Sequence, residues 1–218
     1  MKHSLTSSRA DIRQLIRNKR QLLDQNTQRQ QANLLAERLK AHPKIADAKS
    51  IAIYLSNDGE LNTQKFIHDC WQRNIKTYLP VIHPFSKGHL LFLHYDRHTL
   101  MKKNKYGIAE PQLNVQHVLP VTEIDIIFTP LVAFDNTGAR LGMGGGYYDR
   151  TLASWSNKKS NQQPNKKSEQ KFSQNDVSKK PYPIGLAHDF QQVEKLPTEP
   201  WDIPIPEIIT PNENFKFF

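Results

Sequence analysis

A single cysteine, Cys70, stands in 218 residues, so the chain forms no internal disulfide and builds no cysteine metal site. Apolar runs are short as well. The longest, Ile124 to Phe134, is broken by Asp125, Thr129 and Pro130 and falls below the ~18 uncharged residues that a membrane helix needs. The opening Met-Lys-His-Ser-Leu lacks the apolar stretch of a secretory signal. Membrane-spanning, secreted disulfide-rich and zinc-ribbon classes are excluded on these grounds. What is present, 37% hydrophobic residues, suffices for a core. At about 150 residues per domain the length fits one domain with an appendage. The expectation is a cytoplasmic, monomeric globular protein.

The formal charge of +9 raises the alternative of a basic nucleic-acid-binding protein, and its distribution weighs against that. Residues 1–41 hold nine Lys/Arg against Asp11, Asp24 and Glu37. Residues 154–180 hold seven Lys against Glu169 and Asp176, so the remainder is nearly neutral. In 154–180, Ser, Asn, Gln and Lys fill 21 of 27 positions. Such a segment buries too little apolar surface to offset its ordering entropy. It reads as a disordered-looking polar insert within one domain spanning 1–218. Its lysines lack the interleaved aromatics of a nucleic-acid tail.

Between these basic regions the pattern alternates. Residues 8–41 read as helical, with a break near Asn26-Thr27, and Pro43 ends the run. Apolar strands are expected at 50–56, 76–82, 90–95, 124–129, 131–134 and 183–187, and helices at 63–73 and from Tyr147 to Trp155. Cys70 falls on the apolar face of the first of these helices, with Phe66. Continuous apolar strands alternating with helices predict an α/β fold, a mostly parallel sheet flanked by helices, behind an N-terminal helical region.

Glycine is scarce, nine in all, yet four of them lie between positions 142 and 146. Such a cluster lets backbone approach a ligand closely. The N-terminus of the helix that follows suits phosphate. Arg140 precedes the turn with a fixed guanidinium fork, and Asp149 follows with a carboxylate that could hold phosphate-bound Mg²⁺. The segment is neither a Walker A sequence nor a dinucleotide fingerprint. A tight turn with close helix packing would account for the glycines alone; the flanking Arg140 and Asp149 favour phosphate.

The stretch Asp135-x-x-Gly138-x-Arg140-Leu-Gly-x-Gly-x-Gly-Tyr-Tyr-Asp149 resembles the 5-formyltetrahydrofolate cyclo-ligase family. Four further matches follow the family's order: Arg9-x-x-Ile-Arg13; Tyr54-Leu-Ser-x-x-x-Glu60; Tyr106-Gly-Ile-x-Glu-Pro111; and Ile184-Gly-Leu-Ala187 with Leu196-Pro-x-x-x-x-Asp202. The resemblance implies ATP- and Mg²⁺-dependent conversion of 5-formyltetrahydrofolate to 5,10-methenyltetrahydrofolate, with release of ADP and phosphate. ATP phosphorylates the formyl oxygen and N10 attacks. Arg140 and Tyr148 are the implied catalytic residues. ATP binding is implied for Arg9, Arg13, Arg140, Leu141, Gly142, Met143, Gly144, Gly145, Gly146, Tyr147 and Tyr148. Folate contact is implied for Leu55, Glu60, Met143, Gly144, Gly145, Gly146 and Tyr147, and Mg²⁺ ligation for Asp149 and Asp202. Some family members carry Lys at the place of Gly145, so one phosphate contact is expected to be missing. The role of Tyr106, stacking on the pterin or packing, stays open. Folate and ATP are the expected partners, with no nucleic acid and no membrane.

Overall fold

A computed structural model describes residues 8–160 and 181–218. Its helices are α1 (Arg9–Gln21), α2 (Gln25–Lys40), α3 (Pro43–Ala46), α4 (Gln64–Gln72) and α5 (Tyr147–Ser160). Its strands are β1 (Ser50–Ala52), β2 (Lys76–Ile82), β3 (Leu90–Tyr95), β4 (Met101–Lys103), β5 (Ala109–Pro111), β6 (Val118–Leu119), β7 (Ile126–Pro130), β8 (Ala133–Phe134), β9 (Arg140–Leu141), β10 (Tyr182–Leu186), β11 (Glu207–Ile209) and β12 (Asn214–Lys216). Among the described residues no helix is long and apolar enough to cross a membrane.

Eight strands form one sheet in the order β12-β11-β10-β7-β1-β2-β3-β6. The central five are parallel. The edges are antiparallel, β12 on β11 at one side and β3 and β6 beyond β2 at the other. The expected α/β architecture holds, and the sheet is mixed because β3 and β12 fold back on β2 and β11, with β6 returning beside β3 after a longer excursion. Two small antiparallel pairs, β4 with β5 and β8 with β9, stand beside it.

Both faces of the sheet are covered, and side-chain alternation sorts the core. Ile51, Ile126 and Phe128 face one side, where Leu35 and Leu39 of α2 and Phe66, Ile67 and Cys70 of α4 pack. Ala52, Tyr78 and Ile127 face the other, beneath Leu152 of α5. Helix α1 sets Ile12 and Ile16 against Val132, Ala133 and Leu141.

Three boundaries differ from expectation. The break between the first two helices falls at Leu22–Asp24, not at Asn26-Thr27, because Asp24 caps α2 by accepting from the amides of Asn26 and Thr27. The first strand ends at Ala52; the Ile53 amide still bonds the Tyr78 carbonyl, and Tyr54 and Leu55 beyond it line the site. Helix α5 runs five residues past Trp155 to Ser160, so the first part of the expected insert is helical. Its remainder, 161–180, lies outside the described residues.

Candidate active site

In the parallel core the chain winds one way from β1 to β2 and the other way from β7 through β10 to β11. The order reverses between β1 and β7. Connections leave that point in opposite directions and open a crevice at the carboxyl ends of the strands. A cleft of about 510 Å³ lies there, lined by Tyr54 and Leu55 after β1, Leu79, Pro80 and Ile82 of β2, and Pro130 and Leu131 at the end of β7.

Glu60 stands on one wall. Its Oε2 accepts from the Asn57 amide at 3.0 Å, and burial pushes its carboxyl up to about 7. The turn that carries it is clamped from three sides. Arg17 binds Asp58 through two nitrogens at 2.6 and 3.2 Å, and the His188 ring nitrogen meets the Gly59 carbonyl at 3.1 Å. Burial lowers the His188 ring to about 4, so it is neutral near pH 7. Gly59 has φ +71°, and a Cβ there would lie 2.7 Å from Cβ of Arg20. Arg20 is itself fully buried, and it donates to the Leu131 carbonyl.

The glycine segment forms the opposite wall. Gly144 and Gly146 take φ +97° and +62°, a region that side chains other than glycine's enter at a cost. Helix α5 begins immediately after, and its first-turn N–H groups face the loop. Arg140, 5% exposed, holds Asp149 Oδ1 through Nη2 at 2.7 Å, and its Nε has no protein partner among the described residues. Arg13 Nε donates to the Gly142 carbonyl at 2.8 Å. Arg9 grips Asp202 with both terminal nitrogens, at 2.5 and 3.1 Å. That contact raises the guanidinium pKa and, against the opposing effect of burial, holds the Asp202 carboxyl below its usual range. Arg9, Arg13, Arg140, Asp149 and Asp202 thus form one mutually interacting charge cluster.

Of the residues singled out from sequence, Leu55, Glu60, Arg140, Gly142, Met143, Gly145, Gly146, Tyr147, Tyr148 and Asp149 all line the cleft. Arg9, Arg13, Leu141, Gly144 and Asp202 do not; Leu141 is buried against Ile12 and Ile16 of α1 and supports the loop from beneath. Tyr148 lies within electrostatic reach of both Glu60 and Arg140, and burial raises its hydroxyl pKa. Tyr106 is 58% exposed at the cleft mouth, with its hydroxyl 3.0 Å from that of Tyr147.

Sequence reasoning passed over Arg17, Arg20 and Asp58; the Arg17–Asp58 pair joins residues 41 apart. It also passed over Asn104. The Asn104 side chain accepts from the amides of Tyr106 and Ile108 and donates to Glu110 at 3.1 Å, fixing the β4–β5 turn at the cleft edge. The Asn104-x-Tyr106-Gly107 string was a readable turn signal.

The carboxylates fit a hard divalent ion unequally. Asp149 uses only Oδ1 in hydrogen bonds among the described residues, to Arg140 and to the Ile203 amide. Both oxygens of Asp202 are taken by Arg9, and Oδ2 also accepts from the Glu199 amide. Asp149 therefore presents the freer oxygen donor, and Asp202 acts first as the anchor of Arg9.

The sequence model of the 5-formyltetrahydrofolate cyclo-ligase family matches residues 5–211. The chain is 43% identical to the 5-formyltetrahydrofolate cyclo-ligase of Escherichia coli over 203 residues, covering 93% of this chain and 100% of that one. It is 46% identical to that of Haemophilus influenzae over 204 residues, covering 94% and 98%. The NMR structure of Aquifex aeolicus 5,10-methenyltetrahydrofolate synthetase superposes with a TM-score of 0.74 at 24% identity, covering 96% of this chain and 92% of that one; this likeness speaks to the fold. A sheet that reverses at β1/β7, a glycine loop backed by the buried Arg140 and by Arg13, and near-complete coverage by relatives agree: the chain belongs to the 5-formyltetrahydrofolate cyclo-ligase family and is an enzyme of that class.

Proposed function

We propose that the protein converts 5-formyltetrahydrofolate and MgATP to 5,10-methenyltetrahydrofolate, ADP and phosphate. The observation that carries this reading is the cleft itself, with an acceptor, Glu60, on one wall and a cation-backed glycine loop on the other. Glu60, ionised, accepts from the N–H and amino edge of the reduced pterin. The loop amides and Arg140 meet the phosphates, and Arg9 and Arg13 extend the positive surface from α1.

In the reaction the formyl oxygen attacks the γ-phosphorus and ADP leaves. N10 then adds to the activated carbon and loses its proton, and the carbon–oxygen bond breaks to release phosphate. Chemistry of this kind needs alignment and charge neutralisation rather than a protein nucleophile. Arg140 is suited to that task because it is fixed by Asp149 and desolvated. Tyr148, kept protonated by its burial, can donate to an oxygen between Glu60 and Arg140. Mg²⁺ bound with the nucleotide would supply further neutralisation of phosphate charge, with Asp149 as the first protein ligand and Asp202 as the second if Arg9 turns to phosphate.

The proposed state is a monomer and the proposed setting the cytoplasm. The nucleic-acid alternative gains no support from α1. Arg17 is paired with Asp58, Arg20 is buried against the Leu131 carbonyl, and Arg9 and Arg13 are tied at the nucleotide corner to Asp202 and the Gly142 carbonyl rather than spread along an open basic face. Incubation with 5-formyltetrahydrofolate, ATP and Mg²⁺ tests the proposal through the near-ultraviolet absorbance of the methenyl product. No ATP- and Mg²⁺-dependent signal would end it.

A further inference from the structure

Beyond the Tyr106–Tyr147 pair lies a second cavity, of about 690 Å³. It shares Asn104, Tyr106, Glu110, Gly145 and Tyr147 with the first cleft, so the two chambers adjoin along that line. The second is strongly basic. Lys102 and Lys103 come from β4, Lys105 from the turn after it, Lys87 from the β2–β3 connection and Arg150 from α5. Three separate parts of the chain therefore bring five cations to one chamber, against one carboxylate, Glu110. Among the described residues Glu110 approaches only Lys102 within ion-pair range, at 3.9 Å. Arg150 is held by the Gly88 and Gly145 carbonyls, which aim but do not neutralise it. Lys105 sits 5.1 Å over the Tyr106 ring. Five clustered cations facing a single counter-charge repel one another, and a concave wall focuses their field on an incoming anion.

Arg9, Arg13 and Arg140, the cations proposed for the nucleotide, do not line this chamber. The chamber instead meets the first cleft along Tyr106 and Tyr147, which makes the far end of the folate the anion to be placed. A folate is a pterin joined through an aminobenzoyl ring to a glutamyl group that carries two carboxylates. With the pterin at Glu60, the aromatic linker would pass the Tyr106 and Tyr147 rings, which meet edge to face at 6.5 Å and 82°. We propose that the basic chamber seats the glutamyl carboxylates of the substrate, with Lys87, Lys103 and Lys105 as its recognition residues. The assignment rests on the proposed folate activity and adds a carboxylate subsite to it.

The test compares two substrates, 5-formyltetrahydrofolate and 5-formyltetrahydropteroate, which lacks the glutamyl group. In the Lys103→Gln/Lys105→Gln double variant the KM for 5-formyltetrahydrofolate should rise about tenfold, as expected when one or two charge-assisted hydrogen bonds are removed at an open surface. The KM for the pteroate and the KM for ATP should match those of the wild type. Added salt should raise the wild-type KM for the folate and leave that for the pteroate flat. Equal changes on both substrates, or no change on either, overturn the subsite. A rise in the KM for ATP overturns it as well, by giving the chamber to phosphate. A wild-type protein that converts neither substrate would refute the activity; normal turnover with an unchanged folate-to-pteroate ratio would refute the subsite alone.

Discussion

Arg9 and Asp202, 193 residues apart, meet through two hydrogen bonds of 2.5 and 3.1 Å, and this pair joins the N-terminal helix to the C-terminal segment beside the nucleotide cations. Arg9→Gln and Asp202→Asn should each raise the KM for ATP. Because the two side chains act through one another, the double variant should lose no more than the worse single one. A double-mutant cycle should give a coupling of about 0.5–3 kcal/mol. Strictly additive losses would mean that the pair does no joint work.

Asp149 is expected to carry the metal dependence. Asp149→Asn should raise the Mg²⁺ concentration for half-maximal turnover about tenfold, the scale of removing one charge-assisted interaction. Asp202→Asn should raise it less, since its oxygens already serve Arg9. Mg²⁺ titrations at saturating ATP, run on both variants, check the ranking; a larger effect at Asp202 reverses it.

Glu60 sets an expected pH dependence. Its folded-state pKa, raised by burial to about 7 from 4.5, means that the folded protein binds more protons than the unfolded chain between those values. Stability contributed at this site therefore falls as pH rises through that window and is constant above it. Pterin recognition runs the other way, because it needs the carboxylate. The KM for folate should drop as pH rises toward 7 and level off above. In Glu60→Gln the KM should be high and free of this step. A step retained in the Gln variant would assign the titration to another group.

His42 and Glu207 form a buried pair, at 3.1 Å, outside the cleft, with Tyr182 donating to the same carboxylate. Removing one member strands the other in the interior, at a cost of roughly 3–5 kcal/mol. Glu207→Ala should lower Tm by ~10 °C, taking about 2–4 °C per kcal/mol for a chain of this size. The KM values measured well below Tm should be unchanged. Thermal melts and kinetics on the same preparation separate the two effects.

Much of this was legible in the sequence, for identifiable reasons. Strand interiors such as Ile126-Ile127-Phe128 are apolar on both faces because helices cover both faces, so they stood out as uninterrupted runs. The glycine cluster stood out because glycine is rare elsewhere. Of the antiparallel edge strands only β3 was visible; β6 and β12 are two and three residues long and too short for any periodicity. The arginines of α1 showed their spacing but not their partners, which lie 41 to 193 residues away. Asp24 could have been recognised as a helix cap from Asp24-x-x-Thr27, which would have placed the break correctly. The basic chamber was invisible because Lys87, the β4 lysines and Arg150 converge only in three dimensions.

The arginines of α1 also impose an order on synthesis. As the chain leaves the ribosome α1 precedes all of these partners, so Arg17 must wait for Asp58, Arg20 for Leu131, Arg13 for Gly142 and Arg9 for Asp202. The Arg17 clamp on the turn bearing Glu60 needs only residues up to 58, whereas the His188 clamp on the same turn waits for residue 188. The nucleotide corner cannot close until residue 202 has emerged. The two walls of the cleft are therefore fastened in steps, the Asp58 clamp first and the Asp202 clamp after every other partner of these arginines.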